Sequence, residues 1–414
     1  VNVKEYQEDP SMDIASNGDI YLAVVVLTAL DDKEIEIHRS QDGGATWDLW
    51  GQVGNALGES DYYLSPCLKV VEGSVSRCFV AYNQQSAAFL PRIMMVSADL
   101  ADLTADFGTP TTVMASPGES YFSPRFDTDV SNFSSFFIYL TAHSLVSGGG
   151  GDIYFTRSTD QGASFEAPYK IGDLAHTDRS YKFADVSYGF GGNITVAWHF
   201  LSEDGGFDMA LRYRHATSYA GSGISDWGSI YGLGSTSDGI DYRNPRVAAS
   251  KTTTDVVLAF ERFSGSPGWY RDTAVSHSTD SGASFSTTLG VVGEALPLGD
   301  ILEQPGTGNW YVGGLDSGMA EVWSANVSDL TSWSSLGAFN DAAATGDGFF
   351  HSALALNPAE GNAPCLVWTD GDYPEDDLLL FDGTWRDGPG YPNLEEGFPV
   401  QLASPSLSAP AVVD

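Results

Sequence analysis

The stretch Ser40-Gln-Asp42-Gly-Gly44-Ala-Thr46-Trp47 decides the fold class, because it recurs twice further along the chain. All three copies share the pattern Ser-x-Asp-x-Gly-x-(Ser/Thr)-aromatic, which is typical of a hairpin turn. In such a turn the Asp carboxylate accepts backbone N–H groups, the Gly supplies a positive φ, and the aromatic ring packs between sheets. The other copies are Ser158-Thr-Asp160-Gln-Gly162-Ala-Ser164-Phe165 and Ser278-Thr-Asp280-Ser-Gly282-Ala-Ser284-Phe285.

The spacing of these segments predicts the number of repeats. They begin at positions 40, 158 and 278, so the intervals are 118 and 120 residues. Strand-like runs lie between them, so each interval accommodates two units of about 59 residues, and 414 residues accommodate about seven. We therefore predict an all-β chain that forms one domain, a seven-bladed β-propeller of four-stranded antiparallel blades, with six and eight blades as alternatives.

A second repeated pattern marks the innermost strands. Short apolar runs follow Asp9-Pro10, Ser65-Pro66, Ser123-Pro124 and Asn244-Pro245, and Ala184-Asp185 and Ser352-Ala353 occupy the matching place in two further units. After each comes a turn and a second apolar run, which we predict to be the second strand of a blade. We expect 1–6 to pair with the last blade near 378–381 or with the tail, and 388–414 to be a closure strand or a C-terminal wrap. The second runs are 20–27, 77–82, 136–140, 194–200, 256–260, 310–312 and 365–368.

Charge and composition exclude several classes of function. Glycine (46 residues) and proline (19 residues) are too frequent for a helical protein, and no apolar run is long enough for a membrane helix. Fifty-five acidic and 19 basic residues give a net charge of −36, which argues against nucleic acid as a partner. This charge suits saline or extracellular conditions; the alternative is that some carboxylates hold Ca²⁺, with 370–377 as the best local candidate.

The cysteines bear on the compartment of the protein. Cys67 and Cys78 are symmetric about Glu72-Gly73, a natural turn between two apolar runs. If that turn closes a hairpin in this register, the two residues sit opposite one another and we predict a disulfide. Cys365 is expected to be a buried free thiol. We predict a secreted protein, extracellular or at the cell surface, whose signal peptide would have been removed before Val1.

Propeller geometry restricts where a site can form. The innermost strands start, and the second strands end, on one face, whereas the Asp-containing turns lie on the other. Tyrosines can stack on sugar rings and arginines bind carboxylates or sulfates in pairs of hydrogen bonds, so these residues suit a glycan. We predict that His143, His199, Tyr242 and Arg243 are catalytic and that Tyr63, Tyr121, Arg125, Arg179, Arg262 and His351 bind ligand.

The repeated segments resemble the Asp box of the sialidase-like superfamily, which includes sialidases, glycanases, lyases and non-enzymatic propellers. In that superfamily the Asp box is structural, so the resemblance implies fold rather than activity. Sialidases carry a (Phe/Tyr)-Arg-Ile-Pro motif early in the chain. Here Tyr242-Arg243-Asn244-Pro245 is similar in type but lies before the third segment, and Gln7-Glu-Asp-Pro10 has no arginine. These departures argue against sialidase activity.

Two functional hypotheses from different classes follow. The first, which the sequence favours, is a non-catalytic extracellular module that binds a glycan or an extracellular protein. The second is a polysaccharide-active enzyme with its site at the channel mouth. It would be a uronate lyase, with a Tyr or His base and an Arg that neutralises the carboxylate, or a glycoside hydrolase, which needs two nearby carboxylates. Side chains that point into blade interfaces would favour the first hypothesis.

Overall fold

The regular structure is almost entirely β-strand. The computed structural model describes residues 7–27, 33–54, 62–73, 76–86, 89–129, 136–146, 151–172, 180–201, 209–216, 224–233, 240–264, 270–286, 290–294, 298–316, 319–340, 352–369, 378–381 and 385–387. In these ranges the helical segments are short 3₁₀ turns at Phe190–Gly192, Ile224–Asp226 and Pro358–Glu360. Among the helices described, none has the length and apolar character needed to cross a membrane.

The strands pair antiparallel in consecutive groups of four. The first four groups are β1 (Gln7–Ile14), β2 (Ile20–Leu27), β3 (Lys33–Ser40) and β4 (Asp48–Val53); β5 (Tyr62–Val71), β6 (Arg77–Ser86), β7 (Phe89–Asp99) and β8 (Thr111–Met114); β9 (Glu119–Thr128), β10 (Ile138–Val146), β11 (Ile153–Ser158) and β12 (Tyr169–Lys170); and β13 (Ser180–Tyr188), β14 (Ile194–Leu201), β15 (Met209–Ala216) and β16 (Tyr231–Leu233).

The remaining strands are β17 (Ile240–Ala249), β18 (Val256–Ser264), β19 (Tyr270–Ser278) and β20 (Gly290–Glu294); β21 (Leu298–Gln304), β22 (Asn309–Asp316), β23 (Met319–Asn326) and β24 (Asp329–Asn340); and β25 (Ser352–Asn357), β26 (Ala363–Thr369), β27 (Leu378–Phe381) and β28 (Trp385–Asp387). β17–β20 and β21–β24 form one eight-stranded sheet, because Val291 in β20 pairs in parallel with Ser332 in β24. The other sheets described have four strands each.

The sheets are arranged in a closed ring. The innermost strands contact one another in the order β1, β5, β9, β13, β17, β21 and β25, and β25 contacts β1. Apolar side chains fill the spaces between neighbouring sheets, so the core is divided into clusters. In one of them Tyr21 and Trp50 of the first sheet pack with Tyr82 of the second. Another cluster joins Leu22 to Cys365 and so closes the ring.

Side chains on the innermost strands satisfy the open backbone edge of the next sheet. Asp13 Oδ2 accepts from the Val70 amide, Asp127 Oδ2 from the Tyr188 amide and Asp185 Oδ2 from the Val247 amide, each at 2.8 Å. Ser11 and Ser187 accept in the same way from Leu68 and Ala249. A buried unpaired amide is costly, so these contacts stabilise the ring where no strand ladder can.

The Asp-Pro, Ser-Pro and Asn-Pro pairs are β-bulges of the innermost strands. The residue before each proline has positive φ (Asp9, Ser65, Ser123 and Asn244, at 46° to 50°), and the ladder register shifts at this point. The predicted Ala184-Asp185 match is wrong by one residue, because the bulge residue of β13 is Phe183, at φ 47°. β25 pairs with β26 without a bulge at Ser352, whereas β21 shifts its register at Gly299.

The three Asp-containing segments adopt one turn geometry between the third and fourth strands of their sheets. Oδ1 of the Asp accepts the backbone amide four residues later, at 2.8 to 2.9 Å, and the Ser hydroxyl accepts the Gly amide. Hydrogen bonds from the Thr46 amide and hydroxyl lower the pKa of Asp42 to about 2. The aromatic ring then packs against the preceding sheet, as Phe285 does on Tyr213 at 4.7 Å.

The predicted disulfide is wrong. Cys67, Cys78 and Cys365 are buried free thiols. The hairpin register pairs Cys67 with Ala81 and Cys78 with Val70, so the turn is centred later than Glu72-Gly73. An offset of three residues places the two sulfurs on opposite faces of the sheet, and they belong to different core clusters. The predicted pairing of 1–6 and the role of 388–414 lie outside the described residues.

Candidate functional site

One position of the repeat becomes polar over four consecutive sheets. It is the second-strand residue that pairs with the residue just before the bulge. The first sheet has Val25 there and the β21–β24 half-sheet has Gly314. Between them lie four polar or titratable side chains, which we call the polar row: Asn83, His143, His199 and Glu261, all buried. The row lies on the half of the ring where the innermost strands begin, opposite the Asp-containing turns.

The bulge residue of β13 lies between the two histidines of the row. The ring of Phe183 is 5.7 Å from that of His143, in the preceding sheet, and 5.3 Å from that of His199, in its own sheet. On the other side, His143 stacks on Phe122 at 5.6 Å. Phe183 is 42% exposed although both imidazoles are buried, so its ring forms the surface above them. The predicted histidines are therefore brought together through this phenylalanine.

The bulge residue of β17 links the next two members of the row. The backbone N–H of Asn244 donates to Nδ1 of His199 at 3.1 Å, and its Nδ2 donates to Oε1 of Glu261 at 2.9 Å. A backbone N–H can only donate, so Nδ1 must be the acceptor, and the proton of the neutral imidazole is on Nε2. Asn tolerates left-handed backbone better than most residues, which suits the φ of 46°.

Arg243 places a cationic group beside this contact. It precedes Asn244 and lies opposite Glu261 in the ladder. One guanidinium nitrogen pairs with Asp241, and the guanidinium lies 5.0 Å from the centre of the Phe263 ring. Its Nε is buried and has no hydrogen-bond partner among the described residues, whereas about a third of the side chain as a whole is exposed. An anionic group would therefore meet the exposed part of this side chain and not its Nε.

The predicted tyrosines do not line an open surface. Tyr63, Tyr121 and Tyr242 are buried in three different core clusters between sheets. The Tyr121 hydroxyl donates to Glu119 Oε2 at 3.0 Å. Burial and the adjacent Glu119 charge raise the pKa of Tyr121 well above its usual range. The expectation of a tyrosine stacking surface is corrected, because these rings fill the space between the sheets.

The predicted arginines separate into different environments. Arg262 forms a two-pronged ion pair with Asp272, at 2.7 and 2.6 Å. Arg125 follows the bulge of β9 in the central channel; burial disfavours its charge, but the carboxylates of Asp185 and Asp300 outweigh this effect and raise its pKa. Arg179 and His351 lie outside the described residues.

The channel carries charges of both signs. Burial, together with the nearby Arg125 charge, lowers the pKa of Arg246, whose Nε donates to the Gly299 carbonyl. Burial raises the pKa of Asp185, although the charges of Arg246 and Arg125 oppose this shift. Lys251, just after β17, reaches past β13 to Asp127 in β9, at 2.8 Å. These groups hold the innermost strands together, so we assign them to the fold rather than to the site.

The two residues that organise the polar row were not among the predicted site residues. Asn244 was named only in the proline pairs and in Tyr242-Arg243-Asn244-Pro245, and the predicted match one residue too late, at Ala184-Asp185, left Phe183 out. The signal that could have found Phe183 is the break in the X-Pro series, where a large aromatic residue replaces a small polar one. The described residues contain no group of three or more His, Cys, Asp or Glu side chains arranged to hold a metal, and the Ca²⁺ candidate at 370–377 lies outside them.

Solved structures identify the architecture. An ulvan lyase, described as a new family of polysaccharide lyase, has a TM-score of 0.58 at 11% identity, over 92% of this chain and 96% of that chain. An α-L-arabinanase of Penicillium chrysogenum has a TM-score of 0.53 at 13% identity, over 79% of this chain and 98% of that one. The fold is that of a β-propeller.

A Hadza microbial sialidase has the same fold, with a TM-score of 0.53 at 11% identity, over 89% of this chain and 74% of the sialidase. At these identities the similarity establishes the propeller fold alone. No protein-family model and no curated protein matches the sequence.

Proposed function

We propose that this propeller binds an acidic polysaccharide across the polar row and cleaves it by β-elimination. One observation carries the proposal: a repeat position that is Val25 in the first group of four strands and Gly314 in the sixth holds Asn83, His143, His199 and Glu261 in the four groups between. Burying polar groups costs free energy that an apolar residue would avoid. A continuous arc of such groups on one face is best explained by a ligand.

The proposal includes the architecture and location of the protein. Residues 1–414 form a single domain of seven blades, and the protein is secreted. The closed circuit of innermost strands from β1 to β25 and back supports the blade number. The carbohydrate-active proteins named among the similar structures support a glycan as the ligand.

The groups of the row suit an elimination. In this reaction a base takes the proton from the carbon next to the uronate carboxylate, and the electrons of that C–H bond form a C=C bond. The bond from the neighbouring carbon to the glycosidic oxygen breaks, and this oxygen takes up a proton. We assign His143 as the base. Arg243 is the group that neutralises the uronate carboxylate, and the Nε2–H of His199 is a further hydrogen-bond donor to that carboxylate.

The carboxylates of this region fit a hydrolase less well. A hydrolase needs one carboxyl group as acid and a second as nucleophile or base. Asp241 is paired with Arg243, Asp272 with Arg262, and Glu261 accepts a hydrogen bond from Asn244. Each is thus committed to a structural contact. Elimination needs no carboxylate from the protein, so the described groups favour it.

The experiment is a direct assay on uronate-containing polysaccharides, among them ulvan, alginate and polygalacturonate. Elimination produces an unsaturated sugar that absorbs in the ultraviolet, whereas hydrolysis releases reducing ends without that absorbance. We expect the wild-type chain to produce the absorbance on one member of the panel. His143→Ala should lower the rate by about 100- to 10,000-fold. The matched control is His277→Ala, because His277 bonds Asp255 on the opposite half of the ring.

A second candidate is the non-catalytic glycan-binding module. The burial of Tyr63, Tyr121 and Tyr242 favours it, since a buried phenol is poorly placed to act as a base on a substrate. Affinity electrophoresis in gels containing the same polysaccharides separates the candidates. Retardation without any new absorbance or reducing ends supports the module and overturns the lyase. The absence of both retardation and cleavage across the panel overturns the polysaccharide proposal itself.

A further inference from the structure

Phe183 combines two unfavourable features that the fold does not require. Its φ is 47°, a left-handed backbone conformation that is uncommon and unfavourable for a large side chain. Phe183 is also 42% exposed. At the same bulge position, the other residues with positive φ are small and polar: Asp9, Ser65, Ser123 and Asn244. A phenylalanine here therefore lowers stability in two ways relative to its equivalents.

The surroundings of this ring favour ligand contact. It lies against His143 and His199, which hold it from two sides at 5.7 and 5.3 Å with both ring planes tilted by 45°. One part of the ring is thus fixed, while the other part faces solvent. A rigid aromatic surface with polar donors beside it matches the requirements of a sugar, which has an apolar C–H face and hydroxyl groups at its edge.

We propose that Phe183 is the stacking platform for a sugar ring at the centre of the polar row. This inference rests on the proposed polysaccharide function and deepens it, because it names the residue that orients the chain over His143. Backbone strain at functional positions is retained where the interaction it allows is needed. Here the bulge directs the ring outward between two imidazoles, a position that a regular strand residue would not reach.

The decisive variant is Phe183→Asn, which installs the residue that occupies the equivalent position in β17. Asparagine tolerates positive φ and removes the ring, so we expect the midpoint of thermal unfolding to stay the same or rise. The test uses the polysaccharide that retards the wild type most strongly. We expect the affinity of Phe183→Asn for it to be lower by about fivefold or more. Phe183→Tyr and Phe183→Trp keep an aromatic face and should retain most of it. The matched control is Phe190→Asn, which removes another exposed ring, on the opposite half of the propeller.

The outcomes separate the inference from the function on which it rests. If the wild type is retarded and Phe183→Asn is retarded equally, Phe183 is no platform although the polysaccharide function stands. A large loss of stability in Phe183→Asn would show that the ring is structural and would also overturn the inference. If the wild type is neither retarded by, nor active on, any member of the panel, both proposals fail. A lower affinity of Phe183→Asn for the polysaccharide, together with an unfolding midpoint that is unchanged or higher, supports the inference.

Discussion

The backbone N–H of Asn244 donates to Nδ1 of His199 across the boundary between two neighbouring sheets, at 3.1 Å. This contact sets the tautomer of a histidine in the candidate site. It depends on the β-bulge of β17, because Asn244 is the bulge residue. Because the donor is a backbone group, a substitution at position 244 that tolerates the positive φ, such as Asn244→Gly, leaves the contact in place.

The first prediction concerns this tautomer. When the imidazole of His199 is neutral, ¹⁵N-resolved NMR should show it protonated on Nε2 and unprotonated on Nδ1. Asn244→Gly keeps the amide and permits positive φ, so the tautomer should not change, although the hydrogen bond to Glu261 is lost. His277 serves as an internal reference, because its Nε2 bonds a carboxylate. A proton found on Nδ1 of His199 contradicts the proposed donor role.

The second prediction concerns the links between innermost strands. Asp185→Ala removes the acceptor for the Val247 amide and should lower the free energy of unfolding by about 1–3 kcal/mol. Asp185→Asn keeps an acceptor oxygen and should cost less. Urea unfolding followed by tryptophan fluorescence measures both. Asp48→Ala, an exposed residue with the same charge change, is the control and should stay within about 0.5 kcal/mol of wild type. Equal effects of the three substitutions would falsify the link.

The third prediction concerns acid. The pKa values of Asp160 and Asp280 lie below the ordinary value of 3.8, because hydrogen bonds within the turns outweigh the effect of burial. A carboxylate with a lowered pKa stabilises the fold above its unfolded-state pKa, and this contribution is lost as the pH falls through the folded value. The stability difference between wild type and Asp160→Asn/Asp280→Asn should thus be constant above about pH 5 and shrink below pH 4. A difference that does not change between pH 5 and pH 2 speaks against this account.

The fourth prediction concerns the thiols. Alkylation in denaturant without a reductant, followed by mass spectrometry, should label all of Cys67, Cys78 and Cys365. A Cys67–Cys78 disulfide would leave only one site to label. In the folded protein labelling should be slow, since the three side chains are buried. Burial also raises the pKa of Cys67 and Cys78, which lowers the fraction of reactive thiolate.

The fifth prediction concerns ionic strength. A net charge of −36 repels a polyanion, so kcat/KM on the acidic polysaccharide should increase as salt is added from low concentration. The Debye length shortens from about 30 Å at 0.01 M to about 8 Å at 0.15 M, which screens this long-range repulsion. The same polymer with its carboxyl groups reduced to alcohols is the control and should show no increase. A rate that falls with salt would point instead to a local cationic site that dominates binding.

The chain alone was sufficient to predict the propeller. Turn residues such as Asp42, Asp160 and Asp280 act within a few residues, so their pattern directly reports a local structure, and their spacing reports the size of the repeat. The proline pairs are also local, since proline restricts the residue before it. These signals placed the second strands and identified the face opposite the Asp-containing turns. The two predicted histidines came from that face.

Tertiary structure decided what local pattern could not. The register between β5 and β6 separated Cys67 from Cys78, and a shift of a few residues in a turn is enough to move a side chain to the other face of a sheet. Packing between sheets, which depends on side chains far apart in sequence, buried Tyr121 and Tyr242. The same packing brought Phe183 between His143 and His199. The sequence thus determined the propeller through contacts within each repeat, whereas the composition of the site depended on contacts between repeats.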